Sequence, residues 1–471
     1  MSILTNPILS TDSYKLSHFA QYPKGTERVF SYIEARGSKI PGVSEVVMFG
    51  LQPYLMKLDQ IRVTQAHVDE ASEFAEAHGE PFNRAGWERI VNVHGGRLPV
   101  EIYAVPEGTP VPIGVPMVAV FNSDPELAWL TSYLETDILR AVWYGSTVAT
   151  LSRECKRIIK AALDKSSEAP DAELPFKLHD FGFRGVSSFE SASIGGAAHL
   201  VNFMGTDTIA GIGYADEYYQ SGVCGFSIPA AEHSTMTMRG RFGEKDSYQA
   251  MIDAYAKPGA IFAVVSDSYD LFNAVENIWI GGGLFDQVKE RGATVVIRPD
   301  SGDPLTVPVE VIKLIAEKYG YTVNSKGYKV LPDHVRVIQG DGITIDSLPV
   351  ILRNLLDAGF SASNIAFGMG GGLLQQVNRD TFKFAMKASA AEIDGSWYDV
   401  FKDPVTDTGK KSKRGIVGAE RLNNAGMVRT AVFDDLREFA RGRNILRRVY
   451  GAENGVEAIY SFGLVRSNAS L

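Results

Sequence analysis

Cysteine is nearly absent: the 471 residues hold only Cys155 and Cys224. Two thiols cannot build a disulfide framework, and no CxxC or paired-histidine spacing points to structural zinc. A reducing, cytoplasmic setting is therefore expected. No stretch approaches the roughly 18 consecutive apolar residues of a membrane span. The N-terminus has no basic segment leading into an apolar one, which speaks against a signal peptide. A basic excess is missing too. The formal net charge is −9, the opposite of a general nucleic-acid surface. What is present is an ordinary folded composition, 45% apolar and 22% charged, in a chain long enough for two domains. Anionic small molecules stay in play, because a site needs only local cations. Lys410, Lys411, Lys413 and Arg414 crowd one short segment. Arg437 to Arg448 holds a second cluster, where EFARGRNILRRV has the spacing of a helix with a solvated face.

The first 150 or so residues mix short strands and helices. EIYAVPEGTPVPIG (101–114) and PMVAVF (116–121) read as hairpin-like strands interrupted by prolines. Residues 130–165 read as two helices with a break near Gly145, and SSEAPDAELP (166–175) as a boundary loop. Beyond it four apolar, β-branched runs each end in a polar, glycine-rich turn. They are AIFAVVSDSYD (260–270), ATVVIRPDSGD (293–303), HVRVIQGDG (334–342) and NIAFGMGGG (364–372). Helical patterns at 307–320 and 347–359 separate them, so a parallel sheet covered by helices is expected. Functional residues at every strand end suit a (βα) barrel with its site on the C-terminal rim. A doubly wound open sheet is the alternative. From about Phe384 the pattern stops, and the tail is expected to pack back on the N-terminal region. The domains expected are thus 1–165 with 385–471, mostly β with some helix, and 175–384, α/β.

Chemistry gathers at those strand ends. GMGGG has four glycines in five residues directly after an apolar strand, which lets backbone N–H groups approach an anion closely. It is neither a Walker A loop nor a dinucleotide fingerprint. Asp267, Asp270, Asp300, Asp303 and Asp341 stand on the same rim with Arg298. Singly, each carboxylate reads equally well as a cap or turn residue; together they suit a sugar bearing phosphates. His233 sits in a polar turn. No Ser-His-Asp or Cys-His order and no metal-ligand histidine spacing occurs. The residues alone lead to an α/β enzyme acting on a phosphorylated small molecule.

A resemblance carries the reading further. TDSYKLSHFAQYP (11–23), HDFGFRGVSS (179–188), GTDT (205–208), IPAAEHST (228–235), VVSDSYD (264–270), IRPDSG (297–302), RVIQGDG (336–342), GGGLLQ (370–375) and VFKDP (400–404) occur in the order of the nicotinamide phosphoribosyltransferase family. The sequence closely resembles that family over nearly its whole length. The resemblance implies a distorted α/β barrel joined to a mostly β (α+β) domain made from both chain ends. It also implies a homodimer whose sites lie between subunits. The implied reaction joins nicotinamide to phosphoribosyl pyrophosphate, with magnesium on the pyrophosphate and ATP as coupled co-substrate. Phe181 would stack on the nicotinamide ring, with Tyr14 of the partner subunit on its other face. Asp207 would accept from the carboxamide, and Arg184 would lie near the ring. Arg298, Asp300, Gly340 and Asp341 would hold the ribose and phosphate oxygens. Gly371 and Gly372 would cradle the 5′-phosphate. Arg36, Arg379, Lys387, Lys402 and Lys410 would surround the phosphates. His233 would be phosphorylated by ATP, with Asp270 orienting its imidazole and Asp267 assisting. Met369 and Ala385 depart from the small polar residue and the serine expected there. The rivals are a nicotinate phosphoribosyltransferase and a catalytically silent binding protein on the same fold.

Overall fold

A computed structural model describes residues 3–406, 411–422 and 427–471, so Lys410 lies outside the described residues. The chain forms two compact units. One comprises Met1–Thr150, Tyr218–Gln220 and Asn378–Ser470, the other Leu151–Glu217 and Ser221–Val377. The divisions at 150/151 and 377/378 fall earlier than the boundary loop and the change of pattern at Phe384 indicated.

The second unit is built on six parallel strands: β1 (Leu178–Asp180), β2 (Gly205–Thr206), β3 (Ile261–Val265), β4 (Thr294–Arg298), β5 (Val335–Gln339) and β6 (Ile365–Met369). Their order is β2-β1-β6-β5-β4-β3. β3 to β6 are the four apolar runs of the sequence, and the central residues of each are buried. Helices Val307–Lys318 and Ser347–Asp357 lie between successive strands where the periodicity placed them. The open-sheet alternative fails at the edges. Phe226 bridges Gly205 of β2 and Ala230 bridges Ala263 of β3, both in parallel sense. The segment from 226 to 230 therefore ties the two outer strands together, with Thr206 N–H donating to the Phe226 carbonyl at 2.9 Å and Ala263 N–H to that of Pro229 at 2.9 Å. The sheet is a distorted barrel.

In the first unit the two chain ends share one antiparallel sheet. Thr26–Ala35 pairs on one side with Phe384–Ile393 and on the other with Val118–Asn122, which pairs with Val100–Ala104 and through it with Arg447–Gly451. Inward-facing rings of Phe30, Tyr103, Phe121, Phe433 and Phe439 pack on one face, with centroids 5.1–5.9 Å apart. The second basic cluster is not one helix: Leu436–Arg441 is helical, and after Gly442 the chain turns into the strand Arg447–Gly451.

The break expected near Gly145 does not exist. Glu135–Ser166 is one helix of 32 residues. Gly145 is instead a contact point, because the Gly50 turn lies against the helix there: a Cβ on Gly50 would come within 2.6 Å of the Ala141 carbonyl and 3.9 Å of the Gly145 Cα. The neighbouring hydroxyls are used as well, Phe49 N–H donating to Ser146 Oγ at 3.0 Å and Val47 N–H to Thr150 Oγ1 at 2.9 Å. Close packing outweighs the roughly 1 kcal/mol by which glycine disfavours a helix.

Candidate active site

The C-terminal ends of β3 and β4 assemble a chain of polar groups. Asp267, its side chain 3% exposed, accepts from His233 Nε2 at 2.9 Å through one oxygen and from Asp300 N–H at 3.2 Å through the other. Asp300 Oδ2 lies 3.5 Å from an Arg298 terminal nitrogen and 3.9 Å from His233 Nδ1. Holding Nε2–H at Asp267 leaves the imidazole lone pair on Nδ1, on a side chain that is 45% exposed. This corrects the expected partner. Asp270 does not orient the imidazole; its Oδ1 caps the next helical turn by accepting from Asn273 N–H at 3.0 Å. An Asp three residues earlier, at the strand end itself, has the reach to His233. Asp303 is likewise a turn residue, accepting from Leu305 N–H at 3.0 Å.

Phe181, just past β1, forms the floor of an apolar slot. Its ring lies against the backbone of Gly368 in β6, where an added Cβ would meet ring carbons at 2.0–2.8 Å, and near Gly340, at 3.3 Å. Glycine is therefore required at 368 by the aromatic ring, an explanation that no reading of GMGGG as an anion turn contains. The Phe181 N–H donates to the Met369 carbonyl at 3.0 Å, and Asp207 N–H to the Asp180 carbonyl at 2.9 Å. These bonds set Phe181 and Asp207 on adjoining turns. The Ser227 hydroxyl donates to Asp207 Oδ1, a contact the sequence reading missed because the two residues are 20 apart.

Phe181, Asp207, Ser227 and Arg298 line one end of a cavity of about 540 Å³ inside the barrel. A barrel interior is ordinarily filled by layers of large branched side chains. Here Ala230, Ala263 and Ala366 leave room. His179 lines the same cavity, and burial lowers its pKa more than the nearby Asp207 charge raises it. Arg298 Nε and Gln339 Oε1 are buried without a hydrogen-bond partner among the described residues.

The last two turns are short. Gly370 precedes the single helical turn Gly371–Leu374, and a Cβ on Gly371 would meet nothing within 4 Å. Packing thus does not demand glycine at 371. Gly372 would bring a Cβ to 3.0 Å from the Ile343 carbonyl. Met369, the departure from pattern, is wholly buried beside Gly372. Asp341 is exposed, and its carbonyl accepts from Gln339 Nε2 at 2.9 Å. Arg184 is exposed on the turn after Phe181.

Tyr14, Arg36, Arg379, Lys387 and Lys402 belong to the other unit. Tyr14 is 53% exposed, its ring edge-on to His18 at 4.8 Å. Lys387 lies 3.9 Å from Glu135, and Lys15 donates to the same carboxylate at 2.6 Å. Burial lowers the Lys387 pKa; the Glu135 charge opposes this, while Lys402, Arg36 and Lys15 add to it, so these cations share one neighbourhood. The nearly buried Glu34 pairs with Lys413 and lies 3.8 Å from Arg36. Ala385 stands opposite Glu34 in the sheet. Arg379 faces Asp380 at 3.7 Å.

An open-cored parallel barrel with an aromatic floor, a paired histidine and a carboxylate–arginine rim defines a phosphoribosyl-transfer type of fold. Two solved structures share that fold: the crystal structures of nicotinate-nucleotide pyrophosphorylase from Pyrococcus furiosus (TM-score 0.62, 14% identity, 98% of this chain and 94% of that one) and of human nicotinic acid phosphoribosyltransferase (TM-score 0.55, 16% identity, 98% and 92%). Residues 176–439 match the nicotinate phosphoribosyltransferase family, and residues 6–102 match the nicotinamide phosphoribosyltransferase N-terminal domain. The chain belongs to the nicotinate phosphoribosyltransferase family. It is 52% identical, over 93% of each chain, to a nicotinamide phosphoribosyltransferase of Xanthomonas campestris pv. campestris. It is 35% identical, over 89% of each, to one of Acinetobacter baylyi.

Proposed function

We propose that the protein transfers the phosphoribosyl group of phosphoribosyl pyrophosphate to the ring nitrogen of nicotinamide, giving nicotinamide mononucleotide and pyrophosphate, a step that recovers nicotinamide for NAD. The observation that carries this choice of base is the Asp207 carboxylate beside the Phe181 shelf, held by Ser227. An anionic acceptor suits a carboxamide NH₂ and repels the carboxylate of nicotinate. The bond from C1 to the ring nitrogen forms as the bond from C1 to the pyrophosphate oxygen breaks. The ring nitrogen uses its own lone pair and gives up no proton, so no general base is needed. Catalysis is then positioning and charge stabilisation around an oxocarbenium-like transition state.

In this reading Phe181 supports the ring, with Arg184 at its side. Arg298, Asp300, Gly340 and Asp341 hold ribose and phosphate oxygens. Gly371 and Gly372 offer backbone N–H groups to the 5′-phosphate; the absence of any packing demand at Gly371 supports this use. Magnesium, expected to arrive with the substrate pyrophosphate rather than on protein ligands, would supply charge neutralisation on the leaving group. Arg36, Arg379, Lys387 and Lys402 gather around the phosphates, several of them, with Tyr14, serving the site of a second copy in a homodimer.

ATP phosphorylates His233: Nδ1 attacks the γ-phosphorus, ADP leaves, and water later releases phosphate. Asp267 keeps the proton on Nε2 and stabilises the imidazolium-like product. Asp270 is not needed for this. The test is product formation by purified protein with phosphoribosyl pyrophosphate and magnesium, with nicotinamide or nicotinate, with and without ATP. Nicotinamide mononucleotide enhanced by ATP is expected, and the enhancement should vanish in His233→Ala. Product from nicotinate alone would refute the choice of base, and ATP enhancement surviving in His233→Ala would refute the phosphohistidine.

A further inference from the structure

One carboxylate in the barrel has no part in the reaction as described. Asp180 ends β1 between two cavity-lining residues, His179 and Phe181, and is 0% exposed. Alternation along the strand turns its side chain away from the cavity, into the barrel wall. Its Oδ1 accepts from Gly182 N–H at 2.7 Å, closing a small loop around Phe181, and its carbonyl holds Asp207 N–H at 2.9 Å. Its Oδ2 and the Thr208 hydroxyl on the facing turn are both buried without a well-formed hydrogen bond among the described residues, the hydroxyl lying close enough to favour the carboxylate's charge. Gly182 is pinned in turn, since a Cβ there would come within 2.7 Å of Leu374 and 3.0 Å of Asp180 Oδ1. A second carboxylate, half satisfied, is thus sealed in the barrel wall next to the residue that forms the shelf on which the base is proposed to stack.

The groups that face Asp180 are the Gly182 N–H and Thr208 hydroxyl, which favour its charge, and the Asp207 carboxylate, which opposes it. Burial dominates and pushes its pKa up to about 6. Across β1, Asp180 pairs with Thr206 of β2 and Met369 of β6, neither of them ionisable. His179 is the one titratable side chain beside it on its own strand, and burial holds that imidazole toward the neutral form.

We infer that Asp180 is a specificity-determining residue whose buried charge adds to that of Asp207 in repelling an anionic base from the Phe181 shelf and in favouring a pyridinium there. The inference rests on the nicotinamide reading of the site. In the barrel wall, a medium of low dielectric, one charge acts on the base over several ångströms with little screening. It acts without touching substrate, so its signature is a selectivity that depends on pH. Nicotinate stays anionic from about pH 5.5 upward, and phosphoribosyl pyrophosphate is common to both reactions. The ratio of kcat/KM for nicotinamide to that for nicotinate therefore isolates the base pocket.

The experiment measures that ratio between about pH 5.5 and 8 for the wild type and Asp180→Asn. In the wild type the ratio is expected to fall by about tenfold as pH drops through 6. In Asp180→Asn it should be low and flat, with the Gly182 bond kept by the amide oxygen. A wild-type ratio and pH profile in Asp180→Asn would overturn the inference and assign any titration to His179. Thr208→Val provides a second arm if Asp180→Asn does not fold. Loss of the facing hydroxyl should move the midpoint to higher pH, and an unmoved midpoint counts against Asp180. Failure to form nicotinamide mononucleotide at any pH would instead sink the underlying reading, a result distinct from both.

Discussion

Glu107 and Asp180 are both carboxylates sealed from solvent, and burial raises the pKa of each, yet they are built in opposite ways. Glu107, in the antiparallel unit, accepts from Gly50 N–H at 3.1 Å, Gln52 N–H at 2.7 Å and Tyr219 Oη at 2.7 Å. Asp180, at the barrel rim, accepts from Gly182 N–H and leaves its second oxygen without a well-formed hydrogen bond among the described residues. The saturated group ties the backbone at Gly50 and Gln52 to the Tyr219 side chain. The unsaturated one ends β1, and Arg298 and Gln339, which end β4 and β5 of the same sheet, carry orphaned polar atoms of their own. Orphaned buried atoms also occur in the antiparallel unit, on Trp129, Ser389 and Tyr450, but at the barrel's strand ends they include charged groups, Asp180 and Arg298, whose incomplete satisfaction calls for an explanation.

The largest test of that contrast is Glu107→Ala. It leaves three buried donors without an acceptor, and equilibrium urea unfolding should show a loss of about 4 kcal/mol. Asp180→Asn should have the opposite sign. A carboxyl whose folded pKa is raised from 3.8 to about 6 loses stability as pH rises through that window. Removing the charge should therefore stabilise the protein at about pH 8 by up to about 3 kcal/mol, and by nothing at about pH 4. Equal effects at both pH values would show that the group is not held against its charge. Gly368→Ala comes next. The new methyl displaces the Phe181 ring, so KM for nicotinamide should rise about tenfold while that for phosphoribosyl pyrophosphate changes little. The smallest effect belongs to Asp270→Ala, which removes a helix cap worth about 1 kcal/mol. It should leave ATP enhancement in place, whereas loss of that enhancement would restore Asp270 as the partner of His233.

The sequence was most legible where a signal is continuous. β3 to β6 are unbroken apolar runs, and the helices after β4 and β5 keep their period, so the barrel could be read from pattern. β1 and β2 are three and two residues long and carry His179, Asp180 and Thr206, which gives no period to detect. The Gly145 expectation failed for a related reason, since a helix can keep a glycine that a neighbouring turn needs. Within the site, motif resemblance located Phe181, Asp207 and His233. It did not reveal Gly368, Ser227 or Asp180, whose meaning lies in contacts across strands. Asp267 and Asp270 share one motif, and only the reach from β3 to His233 separates the imidazole partner from the cap.

The most direct measurement is the ratio of kcat/KM for nicotinamide to that for nicotinate at about pH 8, in the wild type and in Asp207→Asn. The account predicts a wild-type preference for nicotinamide of at least about tenfold and a collapse of that preference in the variant. A preference for nicotinate in the wild type, or one for nicotinamide that survives Asp207→Asn unchanged, would contradict it.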